Sequence, residues 1–313
     1  MKLPPGFAVG VATHTGWVRV DNEDDYLLGS SAPAIGAAAA SAAATGAAVA
    51  PLLVCAIADG MGGTVGGAEA SRTALRAFAT VLFDGNAAPL GERIAAGFAA
   101  AGARVYEQAA AVPALRNMGT TMSVLCLQPG TARLGHVGDT RIYRRRGSSC
   151  EQLTTDHAVR KPENLLLRCI GGGHATCEVD QLEVAIEPGD RFLLLSDGVW
   201  SVVSPTQLAR LTDRGAPQAV AEALVAAALS AGGPDNATAL VVDVQPVGDG
   251  PRDADLPRDE RPLSRDLWPA PASLQAPLWP WLVLALALLV LGAAAARWWW
   301  GVDVVGWLGR LRR

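Results

Sequence analysis

The chain has 313 residues, enough for two small domains or for one large domain with an appendage, since about 150 residues per domain is only a prior. Half of it is apolar and 18% is charged, which excludes disorder throughout and a disulfide-rich miniprotein. With 26 Lys and Arg against 30 Asp and Glu, the net charge of -4 leaves no broad basic field for gripping nucleic acid. The five cysteines, Cys55, Cys126, Cys150, Cys169 and Cys177, are odd in number and contain no Cys-x-x-Cys, so neither a zinc cage nor a redox pair is signalled and a reducing, cytosolic setting is expected.

The first residues carry one Lys and two prolines, and their apolar stretch soon meets His14 and Thr15, so they do not read as a signal peptide. Short apolar, β-branched runs predict strands at 7–11 and 26–28, then at 52–57, 121–127, 132–137, 141–145, 191–195 and 238–244. Between the first two groups, residues 30–50 are Ala-rich with no sustained period, and Pro33, Gly36 and Gly46 break any helix there. A surface loop insertion is expected. Ala-rich amphipathic segments predict helices at 68–83 and 90–111, and two more at 205–213 and 217–231. Strands in groups with helices in pairs imply an α+β domain over 1–244, with helices packed on antiparallel sheets.

Residues 245–277 are Pro-rich with mixed charge and read as a linker. Residues 278–296, LWPWLVLALALLVLGAAAA, are uncharged and as a helix would reach about 28 Å, near the thickness of a hydrocarbon core. A buried core helix is the alternative, but Trp279, Trp281 and Trp298 to Trp300 flank the segment like an interfacial belt, and a membrane anchor is expected. The Trp- and Arg-rich tail 297–313 reads as interfacial. Without a signal peptide and with unpaired cysteines, the folded domain is expected on the cytoplasmic side, as a monomer.

Acidic residues recur where apolar runs meet glycine or asparagine. Asp59 lies in ADGMGG, Asp139 in VGDTRIY, Asp197 in LSDGVW and Asp235 in GPDNAT. Singly, each reads as a turn. Four at strand ends point to a shared site, and without any His or Cys cluster the implied metal is a hard one held by oxygen, magnesium or manganese. Near the front, Arg19 precedes Asp21, Glu23, Asp24 and Asp25. A charge run of this kind is either a solvated turn or, given its Arg, a phosphoryl-transfer site, because a guanidinium fork binds phosphate oxygens bidentately beside carboxylate-held cations.

In chain order the blocks RVDNED (19–24), ADGMGG (58–63), GTT (119–121), VGDTRIY (137–143), QLTTDH (152–157), LSDGVW (195–200) and GPDNAT (233–238) resemble the bacterial form of the protein phosphatase 2C family of metal-dependent Ser/Thr phosphatases. The resemblance implies a four-layer α-β-β-α sandwich of two antiparallel sheets flanked by helix pairs, with a dinuclear Mn2+ or Mg2+ centre at one end. It assigns Asp59 as the bridging ligand, Gly60 as a backbone carbonyl ligand, Asp197 and Asp235 as ligands of one ion and Glu23 as a ligand of the other. Arg19 matches the substrate-phosphate clamp, and Asp24 an acidic position orienting waters or Arg19. Two carboxylates about 4 Å apart repel by roughly 4 kcal/mol at an effective dielectric of 20, so such a cluster calls for cations. The implied reaction is in-line hydrolysis of phosphoserine and phosphothreonine in proteins by an activated water, opposing a Ser/Thr kinase. A phosphatase-like module that binds phosphoproteins at the membrane with little turnover is the alternative.

Departures from the family pattern are also visible. Met61 stands where some eukaryotic relatives have a His that protonates the leaving group. Ser201 replaces an Asp of a third-ion site, leaving that weak site to Asp139. The flap between His157 and residue 167 is short. His14 replaces a frequent Asp and receives no role, His136 reads as structural, His157 borders the flap, and His174 is expected to be exposed.

Overall fold

The computed structural model describes residues 3–31, 51–62, 66–85, 87–159 and 165–246. In chain order its strands are β1 (Phe7–His14), β2 (Asp24–Ser31), β3 (Leu52–Met61), β4 (Gly119–Thr120), β5 (Met122–Gln128), β6 (Thr131–Val137) and β7 (Arg141–Arg146). They continue as β8 (Ser149–Gln152), β9 (Ala158–Val159), β10 (Leu165–Leu166), β11 (Ile170–Gly171), β12 (Asp180–Ala185), β13 (Arg191–Leu195) and β14 (Ala237–Val244). The helices are α1 (Gly66–Leu82), α2 (Leu90–Ala111), α3 (Asp197–Trp200), α4 (Pro205–Leu211) and α5 (Pro217–Ser230).

One sheet has the order β1-β14-β13-β7-β8 and the other β11-β4-β3-β5-β6-β12, with β2 also pairing with β3. The pairings are antiparallel, and β9 and β10 form a separate two-residue ribbon.

Antiparallel strands that face water on one side alternate apolar and polar residues. Here the central strands β3 and β14 are largely apolar, interrupted by Asp59 on one and by Thr238 and Asp243 on the other, because both faces are covered. On β3, Leu52, Val54, Ala56 and Ala58 point to the core under α1 and α2, while Leu53, Cys55 and Ile57 point to the core between the sheets. On β14, Ala237, Ala239 and Val241 meet α4 and α5, while Leu240, Val242 and Val244 face the intersheet core. Three cores therefore separate four layers. The outer helices supply stripes at helical spacing: Ala70, Ala74, Phe78 and Leu82 on α1 against Ile94, Phe98, Ala101 and Val105 on α2. Phe78 and Phe98 meet edge to face at 5.5 Å between ring centroids.

The expected α+β sandwich is thus the architecture of the described residues, with local corrections. The strand expected over 121–127 is β5, Met122–Gln128, and Thr121 separates it from the short β4, which pairs with β3 and β11. Strand β2 runs to Ser31, so the insertion expected over 30–50 starts later; its residues 32–50 lie outside the described ones. Asp59 is not at a strand end, because β3 continues to Met61. Strand β12 was not foreseen. No helix among the described residues is long and apolar enough to cross a membrane. The expected span 278–296, most of the linker and the tail lie outside the described residues.

Candidate metal centre

The sandwich brings the acidic blocks to one end. A cavity of about 610 Å³ is lined by Arg19, Asp21 and Glu23 from the β1–β2 loop, Asp59, Gly60 and Met61 from β3, Asp139 from the β6–β7 turn, Asp197 from α3 and Asp235 from the residues entering β14. Seven of the eight residues predicted for the site therefore share its wall. The eighth, Asp24, lies behind it, and Ser201 is not among the lining residues.

Close backbone approaches set this geometry. A Cβ on Gly60 would stand 2.0 Å from the carbonyl oxygen of Gly67, so only glycine lets β3 pass the start of α1. A Cβ on Gly198 would stand 1.9 Å from the carbonyl oxygen of Asn236, so only glycine lets α3 begin against β14 with Asp197 at its first position. The backbone of Asp59 is held from both sides: its N–H donates to Thr121 Oγ1 (3.0 Å), and its carbonyl accepts from Thr121 N (2.9 Å) and Thr120 Oγ1 (2.9 Å).

Asn236 clips the front loop to the sheet. Its Nδ2 donates to the carbonyls of Thr15 (2.8 Å) and Asp21 (2.9 Å), and its Oδ1 accepts from Glu23 N (2.8 Å). Ser71 adds a hydroxyl bond to the Glu23 carbonyl at 2.7 Å. His14 now has a role: its Nδ1 accepts from Gly16 N (2.9 Å) and its ring packs on Trp17, whose own N–H and Nε1–H donate to Gly233 and Leu229 at the end of α5. The Asp139 turn is braced by Trp200, whose Nε1–H donates to the Asp139 carbonyl at 3.1 Å and whose ring lies 3.6 Å from the Arg141 guanidinium. Arg141 in turn forks onto Asp156 at 2.9 and 2.8 Å.

Thr120, Thr121, Ser196 and Asn236 were not singled out in the sequence. They are neutral, so no charge pattern marks them, although each lies within one of the quoted blocks: Thr120 and Thr121 in GTT, Ser196 in LSDGVW and Asn236 in GPDNAT.

The electrostatics are those of crowded carboxylates, with Arg19 the one cationic side chain among the described residues that line the cavity. Burial, and then the charges of Asp24, Asp197, Asp139 and Asp235, push the Asp59 carboxyl well above its usual range. Asp24 lies opposite Asp59 on the paired strands and is pushed up to about 7, chiefly by burial, although its Oδ2 accepts from the Ser196 hydroxyl at 2.7 Å. Glu23 is also raised, first by burial. Arg19 donates to Asp235 Oδ2 at 2.8 Å, and this bond raises its own pKa.

Divalent cations fit these residues. Glu23 Oε1 and Asp24 Oδ1 are buried without a hydrogen-bond partner, and the acidic side chains facing the cavity offer only oxygen, the ligand atom that magnesium and manganese favour. Among the described residues no three His, Cys, Asp or Glu side chains close on one point as a finished cage. The carboxylates instead line a wide cavity, which suits ions that keep several waters. His136 is buried and structural, and exposed His174 takes no part.

Comparison with known proteins gives the same frame. The family model described as protein phosphatase 2C matches residues 38–231, which include Asp59, Asp139 and Asp197 but not Arg19, Glu23 or Asp235. The serine/threonine protein phosphatase PstP of Mycobacterium tuberculosis is 28% identical over 246 residues, which cover 73% of this chain and 43% of PstP. The chain therefore spans less than half the length of that relative. The crystal structure of the PstP catalytic domain in complex with two manganese ions matches with a TM-score of 0.65 and 28% identity, over 77% of this chain and 99% of that one. PppA of Pseudomonas aeruginosa, a regulatory component of a type VI secretion system, matches at 0.60 and 27%, over 76% and 97%. With a family model spanning more than half its length and the sandwich in place, the chain belongs to the protein phosphatase 2C family.

Proposed function

We propose that this chain is a metal-dependent phosphatase that removes phosphate from serine and threonine side chains of proteins. The carrying observation is the convergence of Arg19 with Glu23, Asp59, Asp139, Asp197 and Asp235 on one cavity. Asp59, Asp197, Asp235, Glu23 and the Gly60 carbonyl would hold two Mn2+ or Mg2+ ions, a reading supported by the two manganese ions of PstP. Asp139, on the same wall, would be a ligand of a weak third. When bound, such a pair supplies Lewis-acid charge at phosphoryl oxygens and brings the pKa of a water into the neutral range.

The protein's own groups bind and orient. Arg19 is half exposed, and an ion pair of this exposure is worth at most about 1 kcal/mol. Its fork leaves Asp235 at small cost to take two phosphate oxygens. Thr120, Thr121 and Asn236 fix the backbones that carry Asp59 and Glu23, so the carboxylates stay in place while substrate enters. Met61 lines the cavity and holds no proton, and no His stands among the described residues that line it, so a water would serve to protonate the leaving alkoxide. Asp24, turned to Ser196, acts as a positioning residue.

The domain boundaries proposed are 1–244 for catalysis, 245–277 for a linker and 278–296 for a single membrane span, with the catalytic domain in the cytoplasm opposing a Ser/Thr kinase. The length and apolar character of 278–296 and its Trp-rich borders support the span.

Release of phosphate from a phosphothreonine peptide should require added manganese or magnesium and stop on chelation. Arg19→Ala should raise KM for the peptide by about tenfold or more with a smaller loss in kcat. Undiminished turnover in EDTA contradicts the proposal.

A further inference from the structure

The cavity is acidic on its wall and apolar at its mouth. Val20, next to Arg19, lines the cavity yet is 85% exposed, and Val18 beside it is 69% exposed. Leu165 and Leu166 of β10 line the same cavity, with Leu165 57% exposed and Leu167 61%. Two elements distant in sequence thus hold large apolar side chains in water at the one place where carboxylates gather. Single exposed apolar residues need no explanation, but a cluster bordering a site marks a contact surface.

Both elements are held in position. The Val20 loop is tied by Trp17 N to the Gly233 carbonyl (2.8 Å) and by Asn236 Nδ2 to the Asp21 carbonyl (2.9 Å). The ribbon is tied by His157 N to the Gly138 carbonyl (2.7 Å), by Leu167 N to the His157 carbonyl (2.8 Å), and by the register Leu165 to Val159. His157 is further fixed, its Nδ1 accepting from Gly138 N (3.2 Å) and its Nε2–H donating to Asp180 (3.0 Å). A phosphoryl group that reaches Arg19 and the carboxylates carries its neighbouring residues over Val20, Leu165 and Leu166. Acidic neighbours would meet Asp21 and Glu23, and polar ones would lose water against Val20, Leu165 and Leu166.

We propose that this rim selects phosphorylated segments with apolar side chains immediately beside the phosphorylated residue, with Val20 and Leu165 as specificity-determining contacts; the proposal rests on the phosphatase reading above. The occupant is a segment of the substrate protein, because three of the apolar residues are part of the wall that must receive its phosphate.

The test uses the full chain with manganese, p-nitrophenyl phosphate, and two matched phosphothreonine peptides flanked by leucines or by serines. The leucine-flanked peptide should have about tenfold higher kcat/KM, a difference of ~1.4 kcal/mol carried mainly by KM. Val20→Ser and Leu165→Ser, both at exposed positions, should each bring that ratio towards one. Equal kcat/KM for the two peptides in the wild type, or a ratio unchanged in both variants, overturns the proposal and leaves the phosphatase reading intact. Turnover of none of the three substrates overturns both. Concentration-dependent self-association lost in Val20→Ser, together with equal kcat/KM, would give the rim to a second copy of the chain and also overturn the proposal.

Discussion

His136, 2% exposed on β6, donates from Nε2 to the Thr155 carbonyl (3.1 Å), which leaves Nδ1 to accept from the Ser123 hydroxyl (2.9 Å). Burial and then the facing His157 hold its pKa down at about 4, against smaller opposing pulls from the Thr155 carbonyl, Asp156 and Asp180. The folded protein thus refuses a proton that the unfolded chain accepts near pH 6.5. Stability contributed by neutral His136 is present above pH 6.5 and falls as the pH drops towards 4, by up to about 3 kcal/mol at roughly 1.4 kcal/mol per unit. Urea melts from pH 7.5 to 4.5 should show a smaller loss in His136→Gln than in the wild type; identical pH slopes would refute this. At the same scale, Asp59, Asp139, Asp197 and Asp235 were legible in the sequence because each stands in an Asp-Gly, Gly-Asp or Asp-Asn block, and Glu23 and Asp24 because they follow Arg19 in an acidic run. Asn236 was not, because an amide with three backbone bonds looks like any turn asparagine until Glu23 and Thr15 are seen beside it.

Among the elements, the start of α3 is the most demanding contact. Gly198→Ala would place a methyl 1.9 Å from a backbone oxygen, which forces α3 away from β14 and moves Asp197 off the cavity wall. A loss of at least about tenfold in apparent metal affinity is expected, as for changes in the shell around metal ligands. Calorimetric titration with manganese is the check, and unchanged affinity would contradict the account. Elements with a buried apolar face were legible as periodic runs. Strand β12, DQLEVA, was not: its residues are mostly exposed as it closes the edge of its sheet on β6, and charged, solvated edge strands carry little apolar signal. The two-residue strands β4, β9, β10 and β11 are too short to show any period. The flap ribbon was foreseen only as a shortened segment.

For the whole molecule, the described residues build three cores, whose buried apolar side chains run from Phe7 to Val244. A chain ending after Pro246 should therefore be soluble and monomeric, and should hydrolyse p-nitrophenyl phosphate as fast as the full chain does. The full chain should sediment with membranes, and its phosphatase domain should resist protease added outside spheroplasts. Recovery of the full chain entirely in the soluble fraction, or digestion of the domain from outside, would contradict the anchor or its orientation. The layered sandwich could be foreseen because ordered blocks and paired helices run along the whole domain. That the site residues converge could be foreseen from the repeated Asp blocks; that Asp24 stands off the cavity wall and meets Ser196 could not be, because that depends on how the two sheets stack.

The central claim is that the carboxylates gathered at one end of the sandwich hold a pair of hard cations. Anomalous scattering from crystals soaked in manganese tests it most directly. Two peaks are predicted in the cavity, bounded by Glu23, Asp59, Gly60, Asp197 and Asp235, and Asp59→Asn should weaken both. No peak there, or peaks of the same strength in Asp59→Asn, would contradict the account.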